Sequence, residues 1–153
     1  MENQLIIENT ILINAAPAAV WDALTNPEQT KKYMFGCEPI TDWQVGSPLL
    51  WKGSFDGTEL VAVKGTILKI EPGYFLTYTT IDPNSAIEDI PENYLTVTYA
   101  VSAEGKQTRL AVTQGNYATV ADGEKRYQDT LSEGGWNAVL EQIKQILEVN
   151  RVI

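Results

Sequence analysis

The sequence predicts an α+β fold in which a curved antiparallel sheet of six or seven strands wraps around a long C-terminal helix. Three observations predict it. Short apolar runs separated by turn residues fill residues 38–115. An apolar stripe at helical spacing follows over residues 123–149. An isoleucine-rich run and two short helical segments precede both. A sheet with one apolar face needs a helix to cover it, so the two patterns belong together.

The first predicted elements are a strand and two short helices. Residues 5–13 are rich in isoleucine, whose β-branched side chain favours a strand. A helix is predicted to begin near Pro17, because proline suits a first turn, where no backbone donor is needed. It ends before Pro27, since proline disfavours helical geometry in the preceding residue. A second short helix is predicted over residues 28–34.

Six strands of an antiparallel meander are predicted next. Turn sequences such as Asp56-Gly57 and Glu104-Gly105 separate them. Leucine, valine and tyrosine alternate with threonine in the fifth of them, so one face of the sheet is expected to be buried. The predicted strands are residues 39–45, 49–55, 59–70, 74–81, 94–102 and 107–115.

The last predicted element is the long helix at residues 123–149, expected to lie across the apolar face of the sheet. Two glycines, Gly134 and Gly135, stand inside it, although each costs on the order of 1 kcal/mol relative to alanine. Either they leave room for a ligand between helix and sheet, or they permit close backbone packing. The inward stripe comprises Tyr127, Leu131, Trp136, Val139, Leu140, Ile143, Ile146 and Leu147.

Length and charge set the broad class. The chain has 153 residues, 44% apolar, which fits a single domain over residues 1–153. It lacks a long apolar run and a signal-peptide pattern, so we expect a cytoplasmic protein. A net charge of −9 repels phosphate groups, so neither nucleic acid nor a membrane is expected as a partner. A monomer and a homodimer both remain open.

The sequence contains no histidine and one cysteine, Cys37. The usual general base and the usual metal ligand are therefore missing, and we predict no catalytic residues, no metal site and no cofactor. Cys37 is expected to be a small buried residue rather than a reactive thiol. The acidic residues at 82–92 are expected to form a solvated loop. A calcium loop is disfavoured because Ile87 stands where such a loop needs glycine.

Particular residues carry a family resemblance. The order of strand, short helices, six-strand meander and terminal helix is that of the helix-grip fold. The motifs are Ala16-Pro17, Val20-Trp21, Ala23-Leu24-Thr25, Pro27-Glu28, Asp42-Trp43-Gln44-Val45-Gly46, Gly65 with Ile70-Glu71-Pro72, Leu76-Thr77-Tyr78-Thr79, and Gly134-Gly135-Trp136 followed by Leu140. With these motifs, the chain resembles the activator-of-heat-shock-protein-90-ATPase-like family over roughly residues 5–149.

The resemblance implies the wider START-like superfamily, whose members bind apolar small molecules between sheet and helix. Aromatic rings on predicted strands or on the inward helix stripe line such sites, although any single ring is more often plain core. Gln114 can orient a ligand or meet a backbone group. The candidate ligand-binding residues are Trp43, Trp51, Tyr78, Tyr99, Gln114, Tyr127, Leu131, Gly134, Gly135 and Trp136.

Three functions are therefore considered. The leading hypothesis is non-catalytic binding of a small hydrophobic or lipid-like molecule. The second is a co-chaperone-like partner of a chaperone ATPase, which rests on family analogy alone. The third is a cyclase-like enzyme, which needs an inward carboxylate or tyrosine within hydrogen-bonding reach of a second polar group in an enclosed pocket.

Overall fold

A computed structural model describes residues 4–149. Across that range the chain forms one strand, two short helices, six strands and two C-terminal helices. The strands are β1 (Ile7–Ile13), β2 (Glu38–Ile40), β3 (Pro48–Phe55), β4 (Thr58–Glu71), β5 (Phe75–Thr80), β6 (Leu95–Glu104) and β7 (Gln107–Gly115). The α-helices are α1 (Pro17–Thr25), α2 (Pro27–Thr30), α3 (Gly123–Ser132) and α4 (Asn137–Val149), and a short 3₁₀ helix (Pro91–Asn93) lies between β5 and β6.

The strands of this range form a seven-stranded antiparallel sheet in the order β1-β7-β6-β5-β4-β3-β2. Six of them follow one another as a meander, and β1 adds to the edge beside β7. Its register runs from Ile7 opposite Gln114 to Ile13 opposite Thr108. The predicted fold class, a curved antiparallel sheet with a C-terminal helix, is confirmed.

The longest strand, β4, bends the sheet. Its first half pairs with β3 and its second half with β5, and each pairing contains a register irregularity. Gly65 lies close to the point where the two halves meet. A Cβ atom there would lie 1.5 Å from the carbonyl oxygen of Thr79, so this close approach requires glycine.

The buried face of the sheet follows the predicted alternation. In β6, Leu95, Val97, Tyr99 and Val101 are all buried, whereas the threonines between them are partly exposed. The same holds in β7, where the side chains facing the core alternate with more exposed ones. This face and the buried sides of α1 and α4 make up the main hydrophobic core.

The second short helix is shorter than predicted. It covers Pro27–Thr30, and residues 31–36 form turns instead of continuing to residue 34. The hydroxyl of Thr30 donates to the carbonyl oxygen of Cys37 at 3.0 Å, which closes this segment. Phe35, with φ of 56°, and the glycine after it, with φ of 81°, lie in the left-handed region, where a right-handed helix cannot continue.

Strand β2 ends five residues before the predicted limit of residue 45. The reason is local turn chemistry. The Thr41 hydroxyl and the Asp42 carboxylate accept hydrogen bonds from backbone N–H groups two residues further on, at 3.4 and 3.0 Å. Trp43 takes a positive φ of 60° in this turn, so it does not lie on a strand.

The predicted single helix over residues 123–149 is two helices. The chain turns over residues 133–136, because Gly134 and Gly135 have φ of 89° and 61°, the conformation that ends helices. The apolar stripe continues beyond the break, and Leu140, Ile143 and Leu147 of α4 are buried. Helix α4 packs against β1 and α1.

The acidic connection at residues 82–93 is fixed to the sheet. Lys64 of β4 pairs with Asp89, and the Tyr94 hydroxyl donates to the same carboxylate at 2.5 Å. The hydrogen bonds from Lys64 and then Tyr94 lower the pKa of Asp89. Within residues 4–149, no three cysteine, aspartate or glutamate side chains come together as a metal site. No helix in that range is long and apolar enough to cross a membrane.

Candidate functional site

A partly open pocket of about 300 Å³ lies on the buried face of the sheet. Its floor comes from β3 to β7, one wall from the connection between α2 and β2, and one end from the turn between α3 and α4. The lining is almost entirely apolar. It consists of Met34, Phe35, Cys37, Trp51, Phe55, Ala62, Val63, Tyr78, Thr80, Val97, Gln114 and Trp136.

Four aromatic rings run in a continuous row along the pocket. Trp51 lies 6.3 Å from Tyr78, Tyr78 lies 5.5 Å from Tyr99, and Tyr99 lies 5.9 Å from Trp136, measured between ring centroids. The last two pairs meet edge to face, the arrangement that aromatic quadrupoles favour. Trp51, Tyr78 and Trp136 line the pocket, and Tyr99 contacts Tyr78 and Trp136 without lining it.

The hydroxyl groups of Tyr78 and Tyr99 hydrogen-bond to each other at 2.6 Å. Both side chains are at most 2% exposed. Burial raises the pKa of Tyr78 and of Tyr99 well above the usual value for tyrosine. Both hydroxyls are therefore neutral at physiological pH, and each can donate a proton to a hydrogen bond.

We predict that this pair gives a strongly non-additive mutant cycle. Tyr78→Phe or Tyr99→Phe alone leaves one buried hydroxyl without a partner and is expected to lower the free energy of unfolding by about 1–3 kcal/mol. The double variant removes both hydroxyls and is expected to cost less than either single change. Urea denaturation of the three variants measures this. A double-variant cost equal to the sum of the two would contradict the pairing.

A second polar contact lies at the other side of the floor. The indole N–H of Trp136 donates to the side-chain oxygen of Gln114 at 2.7 Å. Trp136 is held in turn by its backbone N–H, which donates to the Asn9 side-chain oxygen at 2.9 Å. Gln114 was expected to orient a ligand or to meet a backbone group. In the structure its side-chain oxygen instead accepts from a neighbouring side chain, that of Trp136.

The wall formed by residues 33–37 was not predicted as part of the site. The Tyr33 hydroxyl donates to the carbonyl oxygen of Ala23 at 2.6 Å and holds this segment against α1. Phe35 is 81% exposed at the mouth of the pocket. Cys37 is buried, and burial raises the pKa of its thiol, so the thiol is protonated and a poor nucleophile.

The pocket contains four of the predicted ligand-binding residues: Trp51, Tyr78, Gln114 and Trp136. Alternation along the strands also predicts that Thr80 and Val97 share the inward face with Tyr78 and Tyr99, and both line the pocket. No periodic signal marked Met34 or Phe35, since they lie in an irregular turn.

The structure places the other six predicted residues outside the pocket lining. Tyr99 contacts the ring of Tyr78 edge to face, and Trp43 packs against the main core. Tyr127 contacts Tyr117 in a second cluster at a ring distance of 5.8 Å. Leu131 is 46% exposed. Gly134 and Gly135 form the helix break, and Gly135 lies close to β1.

The position of the pocket also differs from the expected one. We expected a cavity between the sheet and the terminal helix, but no lining residue belongs to α3 or α4. The side chains of α4 fill the neighbouring part of the core. The irregular connection between α2 and β2 covers the sheet at the pocket instead.

Comparison with known proteins agrees with this architecture. A family model for the activator of Hsp90 ATPase homolog 1-like protein matches residues 14–148. No protein of curated function matches the chain. The solution structure of a protein from Cytophaga hutchinsonii is 37% identical, with both chains covered in full and a TM-score of 0.77.

Two further structures share the fold at lower identity. The Aha1 dimer from Colwellia psychrerythraea is 20% identical over 94% of this chain and 96% of its own, with a TM-score of 0.68. DynU16, a protein of the dynemicin biosynthetic locus, is 14% identical over 97% of this chain and 49% of its own, with a TM-score of 0.71. Since the family model spans most of the sequence, the chain belongs to the activator of Hsp90 ATPase homolog 1-like family.

Proposed function

We propose that this protein binds a small apolar molecule in the pocket between the sheet and the α2–β2 connection, without converting it. The observation that carries the proposal is an apolar pocket of about 300 Å³ with only a few polar groups on its floor. Sites for small molecules in proteins have this composition, and this volume is at the lower end of their range. An occupant of modest size would remove the aromatic floor from water.

A cyclase-like activity is the second candidate, because one observation favours it. Tyr78 lines the pocket with its hydroxyl 2.6 Å from that of Tyr99, which meets the hydrogen-bonding part of the condition for such an enzyme, although the pocket is partly open and not enclosed. Enolate chemistry also needs a base, however. The titratable groups that line the pocket are Tyr78 and Cys37, and burial raises the pKa of both. Because both groups are neutral and neither can act as a base, the lining favours binding of a ligand over its chemical conversion.

The co-chaperone hypothesis stays a prediction that rests on the family relationship. Membership of a family shows the fold and does not by itself assign an activity. A coupled ATPase assay with the chaperone of the same cell tests it. Unchanged ATP turnover at saturating protein would remove this hypothesis and leave the pocket proposal untouched.

Filling the pocket tests the proposed function. Ala62 lines the pocket from β4, so Ala62→Trp is expected to lower the affinity for the neutral dye Nile red about tenfold or more, because the new ring occupies the space of the dye. The matched control is Ala100→Trp, which places the same ring on the opposite face of β6. Fluorescence titration measures both affinities, and native mass spectrometry of freshly purified protein detects a co-purifying ligand.

Three outcomes would count against the proposal. The proposal loses its basis if no ligand co-purifies and Nile red either does not bind or binds without saturation. Equal affinities of the wild type and Ala62→Trp would show that the dye binds elsewhere. An equal loss in Ala100→Trp would show a general effect of the added ring.

A further inference from the structure

Two polar groups on the pocket floor carry hydrogen-bond donors that no described residue uses. Gln114 is the first case. The indole N–H of Trp136 can only donate, so the side-chain oxygen of Gln114 must face it, as the 2.7 Å bond shows. The orientation of the amide is thereby fixed. Its NH₂ group, which carries two donors, makes no bond within residues 4–149 and belongs to a side chain that lines the pocket.

The tyrosine pair is the second case. Two neutral hydroxyls carry two protons, and the bond between Tyr78 and Tyr99 uses one of them. The second proton has no acceptor among the described side chains and backbone groups. An unused donor in so apolar a place costs free energy until an acceptor reaches it. Tyr78 lines the pocket, which gives an occupant access to the pair.

Sheet register places these donors in one row. Tyr78 lies opposite Val97 on the neighbouring strand, and Val97 lies opposite Gln114 on the next. The three residues share the buried face, so the tyrosine and the glutamine flank Val97 across two strand spacings, about 10 Å at the backbone. Their long side chains bring the donors within the span of a two-ring molecule lying over Val97.

The charge of the occupant follows from the same lining. Among residues 4–149, no lysine or arginine lines the pocket. A carboxylate placed there would lose its hydration without gaining a countercharge, which is costly in an apolar site. The net charge of −9 on the chain opposes an anion further.

We infer that the occupant is a neutral apolar molecule with a hydrogen-bond acceptor oxygen, such as a ketone, whose oxygen accepts from the Gln114 amide; a second acceptor on the same molecule can reach the Tyr78–Tyr99 pair. This inference rests on the proposed function and names the chemical class of the ligand. Trp136 is a positioning residue in it, because its N–H turns the NH₂ of Gln114 toward the pocket.

Benzophenone and diphenylmethane test the inference as probes, because they differ by the carbonyl oxygen alone. Chemical-shift titration of the wild type is expected to show benzophenone bound at least as tightly as diphenylmethane, although the ketone loses more hydration on entering. Gln114→Met keeps the bulk of the side chain and removes the donor. It is expected to weaken benzophenone about tenfold and to leave diphenylmethane unchanged.

Two further measurements address positioning and charge. Trp136→Phe keeps a ring but removes the N–H that fixes the amide, so the ratio of the benzophenone to the diphenylmethane affinity is expected to fall. A merely structural role would weaken both compounds equally. Diphenylacetate, a carboxylate of similar size, is expected to bind the wild type at least about tenfold more weakly than benzophenone.

Failure of the inference can be told from failure of the proposed function. If diphenylmethane binds and Gln114→Met weakens both compounds equally or neither, the donor role is overturned and the apolar pocket stands. Tighter binding of diphenylacetate than of benzophenone would overturn the neutral character. If neither uncharged compound binds the wild type, both the inference and the proposed function fall.

Discussion

Replacing Gly65 with alanine is expected to remove most of the stability of the protein. The new Cβ atom would lie 1.5 Å from the carbonyl oxygen of Thr79 and 2.4 Å from its carbonyl carbon. Both are backbone atoms of the neighbouring strand, so relief of the clash requires β4 and β5 to separate at the bend of the sheet. We expect a loss of more than about 4 kcal/mol, comparable with the whole stability of a small domain.

Circular dichroism and urea denaturation measure this effect. Gly53→Ala is the matched control, because it changes another strand glycine in the same sheet. Its Cβ atom would first meet the end of a side chain, the Cys37 sulfur at 3.0 Å, which can shift. We expect it to cost less than about 1.5 kcal/mol. Similar free energies of unfolding for Gly65→Ala and the wild type would contradict the described approach of β4 to β5.

The meander could be predicted because one face of its sheet is buried and the other is in contact with water. One face of β6 is buried and the other partly exposed, so apolar and polar residues alternate, and the predicted strand at 107–115 matches β7 residue for residue. β2 was predicted too long, because the turn at Thr41 and Asp42 depends on side-chain bonds to the backbone. Such bonds leave no periodic pattern.

The break in the C-terminal helix was hidden by the apolar stripe. Trp136 and Leu140 continue the spacing set by the residues before them, although the chain turns between Ser132 and Asn137. The conformational cost of the two glycines was visible in the sequence. The sequence did not show whether the two glycines make room for a ligand or permit close packing. The answer depends on β1, which lies more than a hundred residues away along the chain.

The candidate site could be predicted only in part. Trp51 and Tyr78 lie on strands, whose inward faces follow from alternation, so the aromatic floor could be expected. The segment that covers the pocket could not be predicted. It comes from residues 33–37, an irregular turn placed by single contacts such as the bond from the Tyr33 hydroxyl to Ala23 at 2.6 Å. One side-chain bond across ten positions gives no signal that a sequence pattern can reveal.

A chain of contacts joins the helix break to the pocket floor. The Asn9 side chain on β1 donates to the carbonyl oxygen of Gly134 at 3.2 Å and accepts from the backbone N–H of Trp136 at 2.9 Å. Trp136 then holds Gln114. The break therefore sets the position of the indole, and the indole sets the direction of the amide. A change at Gly135, which does not line the pocket, is therefore expected to alter the pocket floor through Trp136.

Gly135→Ala is expected to destabilise the protein by about 2–4 kcal/mol and to weaken benzophenone relative to diphenylmethane. Its φ of 61° costs a residue with a side chain about 1–2 kcal/mol. The Cβ atom would also lie 2.5 Å from the Asn9 side-chain oxygen, the acceptor that holds Trp136. Urea denaturation and the two-compound titration measure the effects.

Gly134→Ala separates backbone strain from the contact with Asn9. Its φ of 89° is also positive, but the nearest side-chain atom to its Cβ would be 3.7 Å away, so it carries the strain without the clash. We expect a loss of about 1–2 kcal/mol and an unchanged ratio of benzophenone to diphenylmethane affinity. If both variants changed stability and the ratio equally, strain alone would explain the break. The connection from Asn9 through Trp136 to the pocket would then be wrong.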